Sequence, residues 1–420
     1  MSIPYVRKAL ILAGGRGTRL GALTEELPKP LLPVGGVPFL EYVIWNLVRW
    51  GISDIILSTG YRAEAIRERL GDGAAMGARI HYAEENSPLG TGGGVRFAAA
   101  HVAEPFFVLN GDTLLDCNFQ PLAQLVYQHQ AKAGIVLREV EEAGRFGAVD
   151  FSNNHIHGFH EKGAAGSGLI NGGVYVLTPA AVHALPLGAS SLERELFPLL
   201  AKEGTLVGTV CNGFFLDMGL PSTYGEAQRL LPAWKKKAVK KTVIVDRDGT
   251  LIVEKNYLHN PDEVEILPGV VEGLLLLRQH GYSLMVATNQ AGVGRGYYSV
   301  EEMHAVNQRL QTLLREKGVE LDAMYYCLHA PDEACPCRKP APGMLEQAAC
   351  ERGLSFESSF VIGDKECDIL LGKYAGMQTV LLRTGYGAQT EQQGSQATYV
   401  ADTLYEAARW IVSAADSCRG

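Results

Sequence analysis

Apolar positions along this chain come in short runs of about five, rich in β-branched residues, separated by longer stretches with helical spacing. The runs at 8–13, 54–59, 79–83 and 106–110 predict strands, and the amphipathic stretches at 39–50, 63–70 and 91–101 predict helices between them. The second half repeats the scheme, with strands predicted at 242–246, 283–288, 323–328, 359–363 and 379–383. Its helices are predicted at 300–317, 343–352 and 401–415. Strand–helix alternation of this kind predicts an α/β fold of parallel sheets covered on both faces, with ligands at the carboxyl ends of strands. The expected organisation is two Rossmann-like domains, 1–234 and 242–420, joined by the basic linker 235–241, "KKKAVKK".

At 420 residues, 47% hydrophobic and 20% charged, the chain has the composition of a soluble globular protein with ample core. The net charge of −8 supplies no basic field for nucleic acid, which is not an expected partner. Residues 1–234 carry 18 basic and 22 acidic groups, and the lysines of 235–241 stand out against that background as a solvated joint. The opening "VRKALILAGG" has basic residues before an apolar run, but the run is too short for a signal peptide. No segment approaches a membrane span, so no membrane partner and a cytoplasmic location are expected. Three of the eight cysteines crowd into 327–337, which points to a metal site rather than a disulfide framework. The oligomeric state has no signal in the sequence.

The strand at 8–13 runs into Gly14-Gly15-Arg16-Gly17-Thr18-Arg19, followed by Pro28-Lys29-Pro30. Glycines let backbone N–H groups approach phosphate oxygens, while Arg19 and Lys29 offset their charge. The full stretch "LAGGRGTRLGALTEELPKPLLPVGGVPFLEY" resembles the signature of the sugar-1-phosphate nucleotidyltransferases. So, in order, do "PLGTGG" (88–93), "LNGD" (109–112), "FGAV" (146–149), "EK" (161–162), "NGGVYVL" (171–177) and "FLDMG" (215–219). The resemblance implies attack by a sugar phosphate oxygen on the α-phosphorus of a nucleoside triphosphate, with loss of pyrophosphate. It implies Mg²⁺ on Asp112 and Asp217, Arg19 at the pyrophosphate, Lys29 at the α-phosphate and Lys162 at the sugar phosphate. Glu161 and Asn171 would bind sugar hydroxyls, Gly147 would line the sugar pocket, and the Gly14, Gly15, Gly17, Thr18 and Gly90 backbones would cradle the nucleotide. "EK" precedes Gly163 where the family commonly has proline, a departure in the sugar-pocket loop. Glu84 and Glu85 precede the base-contacting segment. A carboxylate can accept both N–H donors of a guanine edge, which favours GTP, with Glu85 the residue expected to read it.

The second half opens with "VIVDRDGTL", an apolar strand ending in two acids two residues apart. Buried carboxylates in that position need a cation or a proton-transfer task. Together with "VATNQ", "CRKPAPGM" and "IGDKECD", the stretch resembles the ordered motifs of the haloacid-dehalogenase phosphatases. That resemblance makes Asp246 the nucleophile and Asp248 the general acid and base. Thr288 and Lys339 would hold phosphoryl oxygens, and Asn289 would contact substrate. Mg²⁺ would lie between Asp246, the Asp248 carbonyl and Asp364, with Asp368 acting behind them. Asp248 and Asn289 are 41 positions apart, which leaves little room for a large cap. "YYCLHAPDEACPCRKP" supplies Cys327, His329, Cys335 and Cys337, enough for a tetrahedral structural Zn²⁺ that would pin a small loop and present Arg338 to the substrate.

Within that superfamily the zinc loop resembles heptose-bisphosphate phosphatases and, almost as well, histidinol phosphatases. Histidinol phosphate has no use for a nucleotidyltransferase partner, whereas a heptose bisphosphate has. The combined resemblance therefore implies a bifunctional enzyme of nucleotide-activated heptose biosynthesis. It would convert heptose 1,7-bisphosphate to heptose 1-phosphate and then, with GTP, to GDP-heptose. Two alternatives remain: the same pair of activities with UTP or CTP and another sugar phosphate, or a non-catalytic regulatory chain that binds nucleotide sugars.

Overall fold

The computed structural model of the chain describes residues 5–15, 17–141, 147–160 and 167–417, with side chains through 414. It divides into two compact units, Met1–Ala238 with Cys350–Arg352, and Val239–Ala349 with Gly353–Gly420.

The first unit is built on a nine-stranded sheet. Its leading strand, Lys8–Leu12, pairs in parallel with Asp54–Thr59 on one side and Phe106–Asn110 on the other. Arg79–Glu84 adds in parallel beyond Asp54–Thr59. Lys8–Leu12 and Phe106–Asn110 are apolar on both faces, as strands covered on both sides must be: Ala9, Leu10, Ile11, Phe106, Phe107 and Val108 are wholly buried.

The other half of this sheet is mixed rather than parallel, contrary to the expectation, with Leu206–Val210 parallel to Ala133–Val140 but the remaining pairs antiparallel. Gly168–Leu177 runs antiparallel to both Phe106–Asn110 and Ala133–Val140. Val149–Ser152 and His155–Phe159 form a hairpin, with Ser152 opposite His155. The two residues between, Asn153 and Asn154, have φ of 50° and 63°. Two consecutive left-handed residues make the tight turn whose twist matches paired strands, and asparagine tolerates that conformation. A two-stranded ribbon pairs Phe215–Asp217 with Thr113–Leu115, setting Asp217 opposite Thr113.

The stretch expected as a linker is helical through Ala238, because Lys235–Lys237 form the last turn of the helix Pro221–Ala238. Trp234 is buried and donates from Nε1 to Asp116 Oδ2 at 2.8 Å. The buried Arg49 guanidinium lies 5.1–5.9 Å from the rings of Trp45, Trp50 and Trp234 and donates to the Ala238 carbonyl at 2.8 Å. These contacts hold the end of the helix that a charge count alone assigns to solvent.

The second unit has six parallel strands in the order Ala323–Cys327, Ser283–Asn289, Thr242–Val245, Phe360–Gly363, Gln378–Leu382, Tyr399–Ala401. The winding reverses on either side of Thr242–Val245, so a crevice opens at its carboxyl end. In the first unit the reversal falls beside Lys8–Leu12. Each unit thus places its leading loop where such sheets bind ligands.

Candidate active sites

In the first unit a cleft of about 440 Å³ opens over the carboxyl end of Lys8–Leu12. Gly14, Gly15, Gly17, Thr18 and Arg19 form one wall. Lys29, Glu85, Gly90 and Asp112 also line it. Gly17 has φ of 65°, and a Cβ there would meet Lys29 Cβ at 2.9 Å, so glycine is what lets the loop close over the lysine.

Lys29 is buried, and its Nζ lies 2.5 Å from Asp112 Oδ2. Asp112 ends the "LNGD" loop, and its carbonyl accepts from the Met218 N–H at 2.9 Å, which brings it beside Asp217. Burial first, and then the charge of Asp112, raises the Asp217 carboxyl above the usual range, against the pull of Lys29 and Arg19. Two neighbouring carboxylates that resist joint ionisation, Asp112 lining the cleft and Asp217 beside it, are a donor pair suited to a divalent cation.

Strand alternation separates the two glutamates considered for the base. Glu84 pairs with Thr59 across the strands, is exposed, and lies 3.7 Å from Arg67. Glu85 turns into the cleft, where Oε1 accepts from the Ser58 hydroxyl at 2.6 Å and Oε2 from the Leu89 N–H at 3.1 Å. Each oxygen keeps a lone pair for a further donor. Asn171 lies outside the cleft lining and is tied locally, accepting from the Gly173 N–H at 2.8 Å and donating to Tyr175 Oη at 3.1 Å. Gly147, with φ of 93°, precedes the strand Val149–Ser152. Glu161 and Lys162 fall outside the described residues.

The second unit opens a cavity of about 310 Å³ at the end of Thr242–Val245. Asp246 is buried, with its N–H bonded to the Ile362 carbonyl at 2.9 Å. Lys339 is buried beside it, its Nζ 2.8 Å from Asp246 Oδ1, 2.6 Å from Asp368 Oδ1 and 2.7 Å from the Ala287 carbonyl. Burial alone would lower the lysine's pKa. Asp246 and Asp368 outweigh it and keep the ammonium charged. Asp368 thus contributes to holding the lysine charged.

Asp364 is wholly buried. Its Oδ2 accepts from the Tyr386 N–H at 2.8 Å, while Oδ1 has no hydrogen-bond partner among the described residues. Gly249, at φ of 83°, packs against this carboxylate so closely that a Cβ would meet Oδ2 at 2.3 Å. Burial and then the charge of Asp246 push the Asp364 carboxyl up to about 7. Oxygens of Asp246, Asp364 and Asp368 all lie within 4.8 Å of one another. A buried oxygen without a donor, facing a second acid, is a place that a divalent cation fits.

Thr288, Asn289 and Arg338 all line the same cavity. Asn289 exchanges hydrogen bonds with the Lys339 backbone, Nδ2 to the carbonyl at 3.2 Å and the N–H to Oδ1 at 3.0 Å. Arg338 lies beside the zinc loop, its Nη1 3.4 Å from the His329 carbonyl. The cavity also contains residues without a sequence signal of their own: Arg247, Gln290, Tyr298, Glu254 and Lys365. Gln290 directly follows the expected Asn289, and Arg247 lies between the two motif acids, so adjacency was the only available clue.

Cys327, His329, Cys335 and Cys337 converge. Their sulfur–sulfur distances are 3.3–3.7 Å, and His329 Nδ1 lies 3.5 Å from Cys327 Sγ and 3.3 Å from Cys337 Sγ. A tetrahedron with Zn–S bonds of ~2.3 Å has edges of about 3.8 Å, so these donors suit zinc with little movement.

Loops at two sheet switch points, each with a buried lysine paired to an acid, give the chain two candidate active centres. Residues 8–233 match the family model for nucleotidyl transferases, and the chain belongs to that family. Residues 336–407 match the model described as HAD-hydrolase-like. The mannose-1-phosphate guanylyltransferase catalytic subunit beta of Danio rerio is 37% identical over 224 residues, 52% of this chain and 62% of that protein. The chain therefore spans less than two thirds of that relative's length. The D-glycero-alpha-D-manno-heptose 1-phosphate guanylyltransferase of Aneurinibacillus thermoaerophilus is 34% identical over 226 residues, 53% of this chain and 98% of that protein. The crystal structure of D,D-heptose 1,7-bisphosphate phosphatase from B. bronchiseptica, complexed with magnesium and phosphate, is 31% identical. It covers 41% of this chain and 99% of that one, with a TM-score of 0.40. Among the described residues no helix is long and apolar enough to cross a membrane.

Proposed function

We propose that the chain catalyses two consecutive steps of heptose activation. The second unit hydrolyses the 7-phosphate of D-glycero-α-D-manno-heptose 1,7-bisphosphate, and the first couples the resulting heptose 1-phosphate to GTP. The observation that carries the reading is the presence on one chain of both centres. A nucleotide cleft 34% identical to a heptose 1-phosphate guanylyltransferase accompanies a phosphatase cavity whose Asp246, Lys339 and Asp364 sit together.

In the phosphatase, an Asp246 carboxylate oxygen attacks the phosphorus, and the bond from phosphorus to the C7 oxygen breaks. Asp248 gives that oxygen its proton, so heptose 1-phosphate leaves as the alcohol and an aspartyl phosphate remains. Asp248 then takes a proton from water, whose oxygen attacks the phosphorus and releases phosphate and Asp246. Lys339 screens Asp246 and, with Thr288, holds phosphoryl oxygens, while Arg338 and Asn289 contact the substrate. Asp246, the Asp248 carbonyl and Asp364 would hold Mg²⁺, which when bound neutralises phosphoryl charge. The Cys327–His329–Cys335–Cys337 set would hold a structural Zn²⁺ that fixes the loop behind Arg338.

In the nucleotidyltransferase, a phosphate oxygen of heptose 1-phosphate attacks the α-phosphorus of GTP, and the bond to the β-phosphate oxygen breaks. No proton need move, so catalysis reduces to holding two polyanions together. Arg19 and Lys29 supply positive charge, the Gly14–Thr18 backbone supplies N–H donors, and Asp112 and Asp217 would hold Mg²⁺. Glu161, Lys162, Asn171 and Gly147 form the sugar side, and Glu85 offers its free lone pairs to the guanine edge. Assays of heptose, mannose and glucose 1-phosphates with GTP, UTP, CTP and ATP test this. Pyrophosphate release should be fastest with heptose 1-phosphate and GTP; strict use of UTP or CTP would overturn the guanylyl assignment.

A further inference from the structure

Gln290 is 2% exposed, and all four of its amide bonding positions are used. Its Oε1 accepts from Arg247 Nη2 at 2.9 Å and from the Tyr298 hydroxyl at 2.8 Å. Its Nε2 donates to Asp248 Oδ2 at 2.9 Å and to Thr288 Oγ1 at 2.8 Å. Two donors on one end leave a single amide orientation. Both donors are themselves fixed. Arg247, 1% exposed, also donates to Asn307 Oδ1 at 2.7 Å. Burial pushes the Tyr298 hydroxyl up to about 12, so it remains an O–H donor.

The consequence falls on Asp248. Its Oδ2 receives Gln290 Nε2 and Arg247 Nε, the latter at 3.1 Å, whereas Oδ1 receives only Arg247 Nη2 at 3.1 Å. A carboxylate offers about four lone-pair positions, so the open one lies on Oδ1. Both Asp248 and Gln290 line the cavity.

We propose that Gln290, oriented by Arg247 and Tyr298, is the positioning residue that turns Asp248 so that Oδ1 carries the transferred proton. The inference rests on the phosphatase reading above. Gln290 has no donor or acceptor left for a substrate; it acts through Asp248, while its other donor steadies the Thr288 hydroxyl. Its loss should therefore damage proton transfer more than nucleophilic attack.

The test compares wild type with Gln290→Leu on two substrates, heptose 1,7-bisphosphate and p-nitrophenyl phosphate. Nitrophenolate leaves without being protonated, so Asp246 attack on that ester does not need Asp248. In Gln290→Leu, kcat on the heptose ester should fall by about 10²-fold, the scale of a misplaced general acid, with KM nearly unchanged. On p-nitrophenyl phosphate the variant should release one nitrophenolate per site at close to the wild-type rate and then turn over slowly. Acid quench should find phosphate on Asp246. Tyr298→Phe, which removes one donor and little bulk, should show the same pattern at about threefold. Equal loss of burst and turnover, or turnover equal to wild type on both esters, would overturn the positioning role. A wild type that releases phosphate from neither ester would instead overturn the phosphatase reading, and this inference with it.

Discussion

The Asp364 carboxyl is wedged between the Gly249 and Gly385 backbones, with one oxygen on the Tyr386 N–H and the other facing Asp246. Because burial and Asp246 raise it from 3.8 to about 7, the metal-free folded protein holds a proton there that the unfolded chain has released. Its contribution to stability is full below 3.8 and is lost as pH rises through about 7. A cation must displace that proton. Unfolding temperatures measured with and without Mg²⁺ should therefore differ little at about pH 5.5 and clearly at about pH 8; an equal difference at both would contradict the assignment of Asp364 as a ligand. Asp246, Lys339 and Asp364 were legible in the sequence because each falls within a charged motif, the two acids directly after strands. Gln290 was not, since a neutral amide beside an expected Asn289 carries no pattern. Only the fold brings Arg247, Asn307 and Tyr298 to it. Glu84 and Glu85 were indistinguishable until strand register sent one outward to Arg67 and the other inward to Ser58.

At the scale of elements, period and length sufficed where both faces of a strand are covered, and the edges of Asp54–Thr59, Phe106–Asn110, Ala63–Leu70 and Gly343–Arg352 fall where the pattern put them. Pattern failed where topology depends on turns. Asn153-Asn154 makes a hairpin that converts a parallel expectation into a mixed sheet, and Arg49 anchors a lysine-rich helix end that reads as solvated linker. The Cys/His loop has no regular secondary structure of its own, since 328–337 contains no strand or helix. Its shape should therefore depend on the four donors. Cys335→Ser should lower zinc to well below one equivalent per chain by elemental analysis and release the phosphatase unit to unfold at lower temperature; unchanged zinc would remove Cys335 from the ligand set.

At the scale of the whole molecule, the two units share one architectural device: an apolar leading strand that ends in a candidate active-site loop at a switch point. The two chemistries differ in the residues that this strand delivers at its carboxyl end. In the proposed function, glycines, Arg19 and Lys29 would hold a polyanion that exchanges one phosphate partner for another. Asp246 and Asp248 would instead break a monoester through a covalent link. If each centre is complete within its own unit, the two reactions are separable by single substitutions. The most direct test incubates heptose 1,7-bisphosphate with GTP and Mg²⁺ and measures phosphate, pyrophosphate and nucleotide sugar together, for wild type, Asp246→Asn and Asp112→Asn. Wild type should release phosphate and pyrophosphate in equal amounts with GDP-heptose. Asp246→Asn should release no phosphate yet still convert added heptose 1-phosphate, and Asp112→Asn should release phosphate without pyrophosphate. A folded variant of either kind that had lost both activities, or a wild type that made nucleotide sugar without releasing phosphate, would contradict the account.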